Sequence, residues 1–282
     1  MYSILGISKQ AHSKAILRER RLVEIEKEIF IQCNKVREKH KVIGCRKMYG
    51  MIRKQIPLGR DRFMQQCKRL GLFVKRRRSP HVTTHSSNIR RFPNLADGKV
   101  LTGPNQLWQS DFFYILDGNK HKYGITIIDV YTRELLALTH ADNLKAYNLI
   151  RAIKQALKKR RGQNLSRCIF HSDGGKQYEE MQVMKLLSTN GITQSMCIRA
   201  QQNAYAERVQ GTIKHEYLFC NNSQKSLVSK FKEAMYCYNN LRPHSELGGL
   251  TPTEYEQQNN KNSRNRPPRM QVYQWREPIL TF

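Results

Sequence analysis

The chain has 282 residues, a formal charge of +28 and seven cysteines that stand singly. That length allows more than one domain; its apolar runs are too short to cross a bilayer, and no leader of basic, apolar and small residues opens it. With no Cys-x-x-Cys pair, neither a zinc ribbon nor a disulfide framework is indicated. The expectation is a soluble cytoplasmic protein without membrane contact. The excess of lysine and arginine runs the whole length, with local runs at Lys75-Arg76-Arg77-Arg78 and Lys158-Lys159-Arg160-Arg161. Such lopsidedness points to a polyanionic partner, most simply nucleic acid.

Taken in order, residues 1–78 read as helical. Ser8 is a candidate N-cap. From Ala15 to about Lys39, Ile16, Leu22, Ile25, Ile29 and Val36 are spaced for one helical face. Gly44 interrupts, Arg46–Gln55 reads as a second helix, and Asp61–Leu70 as a third, stopped by Gly71. Short helices and tight turns followed by a basic run suggest a helix-turn-helix-like DNA-binding region, with Lys75, Arg76, Arg77 and Arg78 as DNA-contacting candidates. Residues 79–104 carry Pro80, Pro93 and Pro104 and read as a linker.

The pattern changes after Asn105. Leu107–Leu116, Tyr123–Val130 and Glu134–Thr139 read as strands, the first two joined by the turn Asp117-Gly118-Asn119. A helix over Leu144–Lys159, a strand at Cys168–Phe170, a helix at Met181–Thr189, a strand at Ile192–Met196 and a helix from Asn203 follow, with another over Leu227–Leu241. This order predicts an α/β domain at 105–256, a mixed five-stranded sheet covered on both faces. It is the order a ribonuclease-H-like fold requires. Residues 257–282 read as a polar, basic tail.

Three acids stand out in so basic a chain. Asp111 interrupts a strand that is apolar on both faces, where an ionised carboxylate is costly unless paired or bound to metal. Asp173 follows a strand's C-terminal end in a loop with Gly174 and Gly175, the edge where ligands gather in open sheets. Glu207 lies on a helix opposite the stripe Tyr205, Val209, Ile213. Lys214 falls above it by roughly 10 Å of helical rise, with Gly211 between them. Carboxylate oxygens suit Mg²⁺, with Mn²⁺ as a substitute, and three acids can hold two ions flanking a phosphate. His171 invites a general-base reading, but a role in supporting the acids or in packing fits better.

Taken together, Trp108-x-x-Asp111, His171-Ser172-Asp173-Gly174-x-x-Gln177-Tyr178, Gly191-Ile192-x-x-Ser195-Met196 and Asn203-Ala204-x-x-Glu207 resemble the DDE transposases of bacterial insertion sequences. The closest likeness is to the second-frame protein of elements that use a programmed frameshift. Gly44-Cys45-Arg46-Lys47-Met48-Tyr49-Gly50, Tyr238-Asn239-x-x-Arg242-Pro243-His244-Ser245 and Thr251-Pro252 fit the same family. The resemblance implies an integrase catalytic core in which Asp111, Asp173 and Glu207 are catalytic and bind metal, and Lys214 contacts DNA. It also implies double-stranded DNA as substrate, a homo-oligomer that pairs two element ends, and a site of action in the bacterial cytosol at the nucleoid. Two departures accompany it: Glu207 follows Asp173 by 34 positions, slightly short of the common spacing, and Gly211 stands where some integrases carry a second lysine. Two functions are expected: strand cleavage and strand transfer at element ends, or modulation by a DNA-binding protein that is inactive unless fused to an upstream-frame protein.

Overall fold

A computed structural model describes residues 8–74, 91–118, 120–197, 200–219, 225–261 and 268–272. The chain divides into two compact units, Met1–Ser79 and Pro80–Phe282. No described helix is long and apolar enough to cross a membrane.

The first unit holds three helices, α1 (Lys9–Lys39), α2 (Cys45–Ile52) and α3 (Arg60–Arg69). Ser8 caps α1 by accepting a hydrogen bond from the Ala11 amide at 3.1 Å. Only the C-terminal half of the α1 apolar face is buried. Ile29 and Cys33 join Met48, Ile52, Phe63 and Cys67 in a shared core, while Ile16 and Leu22 are exposed. The run Lys75–Arg78, expected to contact DNA, lies outside the described residues.

The second unit is built on a five-stranded sheet in the order β4-β3-β2-β5-β6. Its strands are β2 (Leu107–Asp117), β3 (Lys120–Asp129), β4 (Leu135–Ala141), β5 (Ile169–Ser172) and β6 (Thr193–Met196). The first three are antiparallel, as short connections permit; β5 and β6 run parallel to β2 after helical crossovers. The expected ribonuclease-H-like architecture, with helices on both faces, is therefore the one observed. Helices α4 (Ala146–Lys159) and α5 (Met181–Thr189) cover one face, over Trp108, Ile125, Ile127 and Phe170. The other face, through Phe113, Ile115, Ile128 and Leu135, packs on α6 (Ala204–Thr212) and α7 (Leu227–Asn240).

Side chains alternate across a strand, so β2 sends Trp108 to the α4 side and Phe113 to the α6 side. A Cβ on Gly124, the β3 partner of Phe113, would lie 2.1 Å from that ring; only glycine lets the ring rest there. Beyond Thr212 the α6 backbone continues as a π-helical turn, Ile213–Leu218, closed by a bond from the Phe219 amide to the Lys214 carbonyl. Asn239 of α7 binds both the N–H and the C=O of Leu135 at 2.9 Å, satisfying backbone groups of edge strand β4.

Two stretches expected to be irregular contribute to the core. Within the residues read as a linker, β1 (Val100–Leu101) pairs antiparallel with β7 (Met270–Gln271) from the residues read as a tail. Leu101 and Val272 are buried with Ala96, Leu107, Val130 and Tyr131. The polar tail is also entered by a helix, α8 (Pro252–Lys261), whose Thr251 and Glu254 bond each other's backbone amides.

Candidate active site

The register between β2 and β5 brings the first two acids together. Gln109 lies beside His171, so two residues further on, on the same face, Asp111 stands abreast of Asp173. His171 in turn pairs with Ser195 of β6, two residues before Cys197. Glu207 comes from α6, which packs against this face of β2.

The electrostatics agree with that placement. Burial, the Asp173 charge and the Glu207 charge raise the pKa of Asp111 to about 7. An amide bond from Phe112 at 2.8 Å and the nearby Gln210 side chain act in the opposite direction. Asp173 is pushed up by burial, against one amide bond from Gly175 at 3.2 Å. Burial likewise raises Glu207. Cys197 is driven up to about 12 by burial and by Asp173, Asp111 and Glu207, so its thiol is neutral. Among the described residues none of the three acids has a cationic partner within ion-pair distance.

Lys214, in the π-helical turn, sits with its Nζ 5.2 Å from the Phe113 ring centroid. Burial lowers its pKa, and the Asp111 charge opposes that shift. A methyl group at Gly211 would meet nothing within 4 Å, so the surface between Glu207 and Lys214 is open.

The donor set is all oxygen, hard and mutually repelling, which fits a small divalent cation. Among the described residues, no three His, Cys, Asp or Glu side chains converge tightly enough to enclose a metal ion as they stand. The acids thus lie near enough to act on one another's charge without closing on one point.

Comparison with known proteins agrees with the architecture. Models of the integrase core domain match residues 102–202 and 191–252. An insertion element IS600 uncharacterized 31 kDa protein of Shigella sonnei is 31% identical over 229 residues, spanning 76% of this chain and 84% of that protein. The chain belongs to the insertion-sequence DDE transposases. A transposase for insertion sequence element IS629 of Shigella sonnei is 27% identical over 78% of this chain and 75% of its own length. The fold is shared with a chain of the structure of a simian T-cell lymphotropic virus intasome in complex with PP2A regulatory subunit B56 gamma. That match has a TM-score of 0.53 at 14% identity, over 85% of this chain and 77% of that one. The transposase family places the protein in DNA transposition.

Other motif residues of this transposase have structural partners. His171 is fully buried, its Nδ1 2.9 Å from Ser195 Oγ, which also accepts the Leu95 amide at 2.8 Å. Burial holds its pKa down to about 4, so the ring is neutral. Tyr178 and Trp108 are buried, with Tyr178 bonded to Ser110. Arg242 makes a bidentate pair with Glu216 at 2.7 and 2.8 Å, tying the end of α7 to the π-helical turn. Arg160, from the basic run expected to serve a polyanionic partner, is buried with Glu134 and Asp129 and also pairs with the half-buried Glu256. Gln109 and Gln210, the two amides beside the acids, went unnoticed because neutral polar residues carry no charge or periodicity signal.

Proposed function

We propose that Asp111, Asp173 and Glu207 bind two Mg²⁺ ions, replaceable by Mn²⁺, and that the protein cleaves and joins DNA strands at the ends of its element. Water attacks a phosphodiester at the element end, the bond to the 3′ oxygen breaks, and a 3′ hydroxyl is freed. That hydroxyl then attacks a phosphodiester of a second strand, forming one P–O bond as another breaks, without a covalent protein intermediate. When bound, the ions supply Lewis-acid activation of the attacking oxygen and stabilisation of the leaving one.

The protein's own part is positional and electrostatic. Asp111 on β2 and Asp173 just past the end of the neighbouring parallel strand β5 would offer their oxygens to the ions. The α6 helix sets Glu207 across from them, and Lys214 offers a cation to a phosphate approaching over Gly211. Double-stranded DNA at the element ends and target is the substrate, with Lys75, Arg76, Arg77 and Arg78 as further contacts. Pairing two ends calls for a homo-oligomer on DNA.

The extension of the β2–β5 register, which sets Asp111 abreast of Asp173, supports this reading, as does the lack of an ion pair to either acid among the described residues. Purified protein, terminal-repeat DNA and Mg²⁺ test it. Asp173→Asn is expected to abolish cleavage and strand transfer while leaving circular dichroism unchanged. Strand transfer at the original rate would overturn it.

A further inference from the structure

The start of α6 is capped from outside its own sequence. The first amides of a helix lack intrahelical partners, and an N-cap side chain ordinarily accepts from the second or third. Asn203 occupies the N-cap position but makes no capping bond; its Nδ2 instead donates to the Ser110 carbonyl at 2.9 Å. Gln109 supplies what is missing. Its Oε1 accepts from the Tyr205 amide at 3.1 Å and the Ala206 amide at 3.3 Å, the second and third positions of the helix. Its Nε2 donates to the Gln202 carbonyl at 3.1 Å.

Gln109 is fully buried. It precedes Asp111 by two residues on the same face of β2, about 7 Å along the strand, and the amides it binds immediately precede Glu207. One side chain thereby couples the strand bearing one acid to the helix bearing another, at the point where that helix begins. We propose that Gln109 is a positioning residue that fixes Glu207 relative to Asp111 and Asp173, and so sets the affinity of the site for divalent metal; this rests on the three-acid reading above. Loss of such outer support around a metal site ordinarily costs 10–100-fold in affinity.

The test is Mn²⁺ titration of the full chain, followed by electron paramagnetic resonance of free Mn²⁺ and by amide hydrogen exchange. Gln109→Met, similar in length but without donor or acceptor, should raise the half-saturating Mn²⁺ concentration about tenfold or more. It should also speed exchange at Tyr205 and Ala206 while leaving β3 and β4 protected. Asp173→Asn separates the two readings. If that variant binds Mn²⁺ like the parent, the three-acid site itself is wrong. If it loses Mn²⁺ while Gln109→Met keeps the parental half-saturation, the positioning role of Gln109 is overturned. Should the methionine variant not fold, Gln109→Asn, one methylene too short to bridge both segments, carries the same test with the same two outcomes.

Discussion

Two acidic clusters lie within the second unit, and their charges are met differently. Around Arg160, the Asp129 carboxylate accepts amide bonds from Asn105 at 2.7 Å, Tyr131 at 2.9 Å and Thr132 at 3.2 Å, with the guanidinium 3.6 Å away. Arg160 also meets Glu134 at 2.7 Å and binds Glu256, and Lys159 reaches Glu134 at 2.8 Å. Burial acts against Glu134, but its hydrogen bond to Glu256 and the two cations hold its pKa low, while burial and Glu134 raise Glu256 to about 7. Around Asp111 the donors are far fewer, its pKa is raised by the carboxylates Asp173 and Glu207, and the nearby Lys214 makes no ion pair with it. One cluster contains its own cation and ties β3, β4, α4 and α8 together. The other holds carboxylates in repulsion, a cost a protein bears where a ligand will offset it.

The largest test of that contrast removes the internal cation. Arg160→Leu leaves the buried Asp129 and Glu134 and the half-buried Glu256 without their shared partner, and breaking a buried pair in this way costs about 3–5 kcal/mol. Urea denaturation should show a midpoint far below the parent, or no folded baseline. A stability within about 0.5 kcal/mol of the parent would mean that the cluster is solvated and the contrast unfounded.

Neutralising the other cluster should have the opposite sign. Asp111→Asn removes a carboxylate whose pKa in the folded state, about 7, lies above its ordinary value of 3.8. An acid raised in this way binds its proton more tightly when folded, so it destabilises the fold increasingly as pH climbs from about 4 to 7, and then levels off. Discounted for partial solvent access, Asp111→Asn should stabilise the metal-free protein by on the order of 1–2 kcal/mol at pH 8 and by nothing measurable at pH 4. Thermal melts at the two pH values check it, and equal stabilisation at both would exclude titration as the cause.

Metal should reverse the order of those two proteins. At pH 8 excess Mg²⁺ should raise the melting temperature of the parent and leave Asp111→Asn nearly unmoved, since ligand bound only to the native state stabilises by mass action. At pH 6 the same metal must displace the Asp111 proton, so the apparent affinity falls and protons are released on binding. Calorimetry in two buffers of different ionisation enthalpy measures that release; none at pH 6 would detach Asp111 from the metal.

The clusters also differ in how far the sequence revealed them. Asp111 and Asp173 were legible because each interrupts or ends an apolar strand, where a carboxylate contradicts its surroundings. The order of strands and helices along the chain was legible from apolar runs and turn signals. Arg160 was not legible: it sits in Lys158-Lys159-Arg160-Arg161, whose other members fit an exposed basic run. Its partners come from a β4 start and from α8, nearly a hundred positions on. The β1–β7 pair escaped for the same reason, since two-residue strands carry no period and pair across most of the second unit. Gln109 is an intermediate case. It falls inside the motif Trp108-x-x-Asp111 as one of its unspecified positions, and only the Tyr205 and Ala206 amides give it a role.

The smallest effect concerns Gly211, which lies between Glu207 and Lys214. Its helix position calls for no glycine conformation, and an added Cβ meets nothing within 4 Å. Alanine there should therefore stabilise the protein by about 0.5–1 kcal/mol through helix propensity alone. If the bare backbone serves the approach of a phosphate, the same change should weaken binding of terminal-repeat DNA severalfold despite the firmer helix, with the loss greater still for Gly211→Leu. Gly211→Lys separates bulk from charge. It carries a long side chain into the same open space, but also the cation that some integrases place there. Binding restored by lysine and not by leucine would make the glycine a missing contact; binding lost with all three would make it a clearance. Fluorescence anisotropy at two salt concentrations distinguishes these outcomes, because an added phosphate contact steepens the salt dependence and a lost clearance does not.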